Sequence, residues 1–178
     1  EQDHFEEIVV PGHWEIQESS RPQWAWPKKE AGLYKTQVTV PNDWKGKKIY
    51  LNFGGVYCRA KVFFNGKFLG EHESGYNEFE YEITDIAKPG EKAELKVEVY
   101  TYGKYLDFDN LDFWALAGIF REVTLYARGQ EHIEKWQYST KWSDGKADVK
   151  IYGKINENID GKVLVKLSFE GRKILEQN

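Results

Sequence analysis

Cysteine is almost missing from this 178-residue chain, and charge of one sign is gathered nowhere along it. Cys58 is the single cysteine. It has no partner for an internal disulfide, so it reports nothing about an oxidising compartment, and it reads as a small core residue rather than a nucleophile. The four histidines, His4, His13, His72 and His132, show no H-x-H or H-E-x-x-H spacing, so no metal site is expected. Lys and Arg total 25 against 29 Asp and Glu, a net charge of -4, and the basic residues are interspersed with acidic ones. A nucleic-acid surface needs a basic stripe to release counterions, so no nucleic-acid partner is expected. No apolar run approaches the ~20 residues required to cross a bilayer, and EQDHFEEIVV lacks the basic start and apolar middle of a signal peptide. The expectation is a soluble chain with no membrane partner, cytoplasmic or periplasmic.

A sustained 3.6-residue apolar stripe between caps is also lacking, which argues against any substantial helix. What the chain has is aromatic residues, 16% with seven Trp, and strand-like alternation. Aromatics suit a packed core and sugar contact alike. In YKTQVTV, Tyr34, Thr36, Val38 and Val40 share one face, and Pro41 and Asn42 end the run. KIYLNF (48–53) follows a turn, and the two segments are expected to be adjacent strands. Asn65-Gly66 in AKVFFNGKFLGE supplies the two positive-φ residues of a type I′ hairpin turn. FEYEITD (79–85) and ELKVEVYTY (94–102) alternate again, around a turn at KPGE. Many short strands of this kind predict an all-β fold, a jelly-roll β-sandwich over residues 1–128.

After Ala127-Arg128-Gly129 the pattern restarts. HIEKWQYSTKW, ADVKIYGKINEN and KVLVKLSFEG, parted by turns at Ser143–Lys146 and Asp160-Gly161, predict three strands in a simple meander. An immunoglobulin-like sandwich needs about seven strands. Three strands are too few for such a sandwich, so residues 129–178 are expected to be an incomplete second domain.

The segment DFWALAGIFREVTLY (112–126) carries the most information. It places an acid, Asp112, beside Phe113 and Trp114 in a compact loop punctuated by Gly118, and a β-prone run follows it. Arg121, within that run, is expected to be a buried or half-buried guanidinium satisfied by backbone carbonyls and an acid. These words resemble the segment that closes the N-terminal sugar-binding domain of glycoside hydrolase family 2, the family of large β-galactosidases, β-glucuronidases and β-mannosidases. VPGHW (10–14) resembles the family's opening loop, residues 33–56 its first long hairpin, and residues 60–90 the stretch that turns at Asn-Gly and leads to a "D-I-T" strand end. The resemblance covers roughly residues 8 to 128 in family order.

The resemblance implies a jelly roll, then an immunoglobulin-like domain, of which residues 129–178 would be an incomplete part, then a catalytic barrel elsewhere in the same polypeptide. It implies that the acid matching Asp112 reaches the edge of the active site, where it holds the terminal sugar and sometimes a sodium ion. The spacing in KYLDFDNLDFW is longer by two residues than the family's, so Asp107 and Asp109 compete for that role. A family Asn is matched here by Tyr57, which can donate one hydrogen bond and stack on a sugar face but cannot present an amide's paired donor and acceptor. Trp114 is a third candidate substrate contact, and Trp24 and Trp26, between Pro22 and Pro27, form either a sugar platform or a loop anchor.

Glycoside hydrolysis generally takes two placed carboxyl groups. Asn77-Glu78 and Asn156-Glu157 match the Asn-Glu dipeptide of the family's acid/base, but neither belongs to a βα repeat. No catalytic residue is expected in this chain, and no cofactor, although the intact enzyme would hold sodium or magnesium. The chain alone is expected to be inactive, a non-catalytic part of a β-galactosidase-like enzyme that lends residues to the active-site rim. Its partners would be carbohydrate and the rest of the polypeptide, within a homo-oligomer. A free carbohydrate-binding module and an adhesive sandwich are the other readings.

Overall fold

The computed structural model describes residues 5–17, 30–105, 116–156 and 164–177. The described residues divide into two units, Glu1–Gly129 and Gln130–Asn178. The first is a β-sandwich with one short helical turn, α1 (Trp14–Gln17), near its start. Its strands are β1 (Ala31–Thr39), β2 (Lys48–Phe53), β3 (Arg59–Phe64), β4 (Lys67–Glu73), β5 (Phe79–Glu82), β6 (Lys92–Tyr100) and β7 (Val123–Arg128). One sheet runs β1-β6-β3-β4 and the other β5-β2-β7, with every pairing antiparallel.

The core lies between these two sheets because each strand turns alternate residues inward. Ala60, Val62 and Phe64 of β3 and Leu95, Val97 and Val99 of β6 come from one sheet; Ile49, Leu51 and Phe53 of β2 come from the other. Phe53 and Phe64 are both fully buried. Burying side chains of this size contributes about 1.5–3 kcal/mol each, which outweighs any single surface contact. Asn65 (φ 48°) and Gly66 (φ 75°) form the expected β3–β4 turn, and the Asn65 carboxamide oxygen accepts the Glu94 N–H at 2.9 Å, tying the turn to β6.

One expectation is overturned here. β1 and β2 are not adjacent strands: β1 pairs with β6, and β2 sits in the opposite sheet between β5 and β7. Pro41 and the 3-10 turn Asn42–Trp44 carry the chain across the sandwich rather than folding it back as a hairpin. Both strands still aim their apolar faces at the same core, which is why alternation alone suggested pairing. Cys58 is a core residue as expected, its thiol donating to the Tyr100 carbonyl at 3.4 Å.

The second unit contains β8 (Ile133–Ser143), β9 (Lys146–Ile155), β10 (Val165–Phe169) and β11 (Arg172–Gln177). These form two hairpins, β8–β9 and β10–β11, not the expected three-stranded meander. The strand that was missed, β11, follows a tight turn at Glu170 (φ 47°) and Gly171 (φ 75°). Glutamate seldom takes positive φ, so Glu-Gly gave a weak turn signal. The turn expected at Asp160-Gly161 lies outside the described residues. No helix among the described residues is long and apolar enough to cross a membrane.

Candidate functional site

At one end of the sandwich three stretches distant in sequence are stitched together. They are the opening loop (Val9–Gln17), the link between β2 and β3 (Gly54–Cys58), and the approach to β7 (Leu116–Glu122). Tyr57 and Gly118 form an isolated antiparallel bridge, each N–H donating to the other's carbonyl at 3.0 Å. On the other side of the same strand-like segment, the Gly12 N–H donates to the Ile119 carbonyl at 2.8 Å and the Trp14 N–H to the Ala117 carbonyl at 3.3 Å. Leu116–Ile119 thus runs between two partners and satisfies backbone groups on both edges.

Gly118 is required by this crowding. Its φ is 137°, and a Cβ there would lie 2.6 Å from the Gly12 carbonyl oxygen and 3.1 Å from His13 Cα. Side chains beside it form a chain of rings. His13 stacks on Phe120 at 5.3 Å, Tyr76 meets Phe120 edge-on at 5.9 Å, and Tyr57 lies 5.8 Å from Tyr76. Trp14 faces inward and stacks on Tyr34.

Arg121 closes the seam from outside. Its Nη1 donates to the carbonyls of Gly54 (3.2 Å) and Tyr76 (2.9 Å), and its guanidinium lies 5.3 Å from the Phe120 ring. The backbone part of its expected role is present, but the side chain is exposed and precedes β7. Among the described residues no carboxylate pairs with it.

The sequence candidates fare unequally. Tyr57 sits at the seam, but its ring is only 3% exposed and packs so closely on Gly75 that a Cβ there would collide with it. It therefore offers a sugar no open face for stacking, and its contribution to the seam is through the backbone. Asp112, Trp114, the competing Asp107 and Asp109, and the Trp24 and Trp26 pair all lie outside the described residues. Glu78 is engaged at the surface, accepting from Asn52 Nδ2 at 2.6 Å, while Asn77 donates to Ser74 Oγ. Asn156 closes the open end of the β8–β9 hairpin, donating to the Gln130 carbonyl and accepting the His132 N–H; Glu157 is outside the described residues. Among the described residues, no three His, Cys, Asp or Glu side chains gather to hold a metal.

Two carboxylates at this end drew no attention in the sequence. Glu15 Oε1 accepts the Ala117 N–H at 2.9 Å, while its Oε2 is buried with no partner among the described residues. Burial holds this carboxyl above the usual carboxylate range, against the downward pull of the Ala117 N–H. Glu73 Oε2 accepts the Lys104 N–H at 2.9 Å. Neither belongs to a motif, so only the fold could bring them to light.

Residues 2–129 match the model of the glycosyl hydrolases family 2 sugar binding domain. The chain belongs to glycoside hydrolase family 2. A β-galactosidase of Priestia megaterium is 32% identical over an alignment of 147 positions that covers 72% of this chain and 14% of that protein. A β-glucuronidase of Bacteroides fragilis is 35% identical over 135 residues, 75% of this chain and 19% of that protein. The chain thus spans less than a fifth of these family 2 relatives. A β-glucuronidase of an uncultured Clostridium species shares the fold, with a TM-score of 0.79 at 23% identity over 99% of this chain and 33% of that one. The family places the stitched seam within a sugar-binding domain that belongs to larger glycosidases.

Proposed function

We propose that this chain is the non-catalytic N-terminal portion of a larger family 2 exo-glycosidase and that the stitched end of its sandwich forms part of the active-site rim. The observation that carries the reading is the Tyr57–Gly118 bridge. It joins two of the segments that resemble the family, while Gly12 and Trp14 of the third hold the opposite edge. Asp112 and Trp114, a few residues before Gly118, are the proposed sugar contacts. A carboxylate can accept two sugar hydroxyls at once through charge-assisted bonds. Tyr57 is proposed to shape the rim by its main-chain pair with Gly118.

A terminal β-D-galactoside is the proposed substrate, in line with the β-galactosidases among the relatives. A β-glucuronide is the alternative, because a glucuronidase is equally similar and Tyr57 replaces the amide that the family resemblance implies. A sodium ion of the intact enzyme would draw on Asp112, magnesium being the other ion proposed for it, and the described residues gather no metal-holding cluster of their own. The proposed partners are the catalytic barrel of the same polypeptide and further copies of the intact enzyme.

Hydrolysis of p-nitrophenyl β-D-galactoside and β-D-glucuronide should be measured for the 178-residue chain and for the natural polypeptide that carries it. The expected result is no turnover by the chain and turnover of one glycoside by the polypeptide. Turnover by the chain alone, lost on Glu78→Gln or Glu157→Gln, would overturn the non-catalytic reading.

A further inference from the structure

Beside the stitched seam, an exposed guanidinium is fixed in place with no acid to answer its charge. Both hydrogen bonds of Arg121 leave from Nη1, to the Gly54 carbonyl at 3.2 Å and the Tyr76 carbonyl at 2.9 Å. Its Nε and Nη2 make no hydrogen bond among the described residues, and no carboxylate there pairs with it. Other arginines of the same sandwich are answered. Arg59 Nε bonds Glu71 at 2.7 Å, and Arg128 Nη2 donates at 2.9 Å to the Tyr126 hydroxyl, which itself donates to Glu80.

The backbone beneath Arg121 is shaped to seat it. A Cβ at Gly54 would lie 3.1 Å from Arg121 Cβ, and one at Gly55 would lie 3.1 Å from Arg121 Cδ and 3.0 Å from Phe120 Cζ. Two glycines therefore let the arginine stem lie against the link between β2 and β3, with the guanidinium 5.3 Å from the centre of the Phe120 ring. Tyr76 meets that same ring edge-on at 5.9 Å and is 38% exposed. A guanidinium held in this way has already given up much of the rotamer freedom that an exposed arginine would lose on binding a ligand. What it still offers is its side edge, Nε–H with one Nη2–H, a planar fork that matches the two oxygens of a carboxylate.

We propose that Arg121 and Tyr76 form a binding site for an acidic sugar, the fork taking the carboxylate of a uronic acid and the Tyr76 ring packing on the sugar's apolar face. A sugar is favoured over a bare anion because the fork stands beside an exposed ring, in a domain that matches the sugar-binding model of its family. The site needs neither Asp112 nor a catalytic barrel, so it stands or falls apart from the rim reading.

Chemical-shift titration of the 178-residue chain with methyl β-D-glucuronide, methyl β-D-glucoside and acetate tests it. The two glycosides differ only at C6, a carboxylate in one and a hydroxymethyl group in the other. The glucuronide should shift the Arg121 side-chain Nε–H and the Gly55 and Tyr76 amides. It should bind about tenfold more tightly than the glucoside and about threefold more tightly than acetate. Arg121→Lys, which keeps the charge and loses the fork, should lose most of the preference for the glucuronide over the glucoside. Tyr76→Ala keeps the carbonyl that Arg121 bonds, so it should weaken the glucuronide and leave acetate unchanged. It serves if the lysine variant fails to fold, with the Leu51 and Val97 amide shifts reporting the fold.

Equal affinity for the two glycosides, or shifts that leave Arg121 and Tyr76 untouched, would overturn the site. Acetate bound as tightly as the glucuronide would overturn its assignment to a sugar. Neither result would touch the rim reading, which is tested by hydrolysis in the natural polypeptide.

Discussion

The two units use the same alternation and reach opposite ends. In β3 and β6 every second residue enters a closed interior, so that Val62 and Phe64 lose all contact with solvent. In β8 and β9, Trp136, Tyr138 and Trp142 share a face with Val149 and Ile151, while Lys135, Lys141, Lys150 and Lys154 point the other way. That apolar face is as clearly segregated as any in the first unit, yet Trp142 remains 72% exposed and Trp136 65%. Periodicity states which face wants to be covered. It does not supply the cover, and burial, not pattern, makes a residue matter energetically.

The sharpest way to break this comparison is to truncate one residue in each unit. Phe64→Ala should destabilise the chain by about 3–5 kcal/mol, and Trp142→Ala should stay within about 0.5 kcal/mol, both read from denaturant midpoints. Equal losses would mean that the β8–β9 face is covered in solution. Next comes Gly118→Ala, where strained backbone and a crowded Cβ should cost about 1–3 kcal/mol. Gly145→Ala at the β8–β9 turn also has positive φ but open space around it, and it should cost less.

A pH series sharpens the comparison within the seam. Burial raises the folded pKa of Glu15 above its unfolded value. Its favourable contribution is therefore complete below the unfolded pKa and lost as pH rises through the folded one. Glu15→Gln should remove that part of the slope, giving a flatter stability curve across this window than the parent chain. Parallel curves would contradict it. The smallest effect is expected at the β10–β11 turn, where Glu170→Asn suits a positive φ of 47° and should stabilise that hairpin by a few tenths of a kcal/mol at most, about 0.3. Cross-turn amide shifts would report it.

Legibility in the sequence follows the range of the interaction involved. The β3–β4 hairpin could be read because Asn65-Gly66 and its flanking alternation are local, and the inward faces of β2 and β6 could be read for the same reason. Sheet membership could not: a crossover at Asn42–Trp44 looks much like a hairpin loop when only its two strands are in view. At the seam, Gly118 and Tyr57 stood out through resemblance, yet the burial of the Tyr57 ring under Gly75 depends on a loop 18 residues away. Glu15 and Glu73 were silent, since a carboxylate that accepts one main-chain N–H across a long separation leaves no spacing to recognise.

The central proposal is that the stitched end of the first unit forms part of an active-site rim, with Asp112 as a sugar contact. Steady-state hydrolysis by the natural polypeptide carrying Asp112→Asn tests it most directly. The account predicts that kcat/KM for the hydrolysed glycoside falls by about tenfold or more, as expected for loss of a charge-assisted contact, with the fold unchanged. Wild-type kinetics in that variant would contradict it.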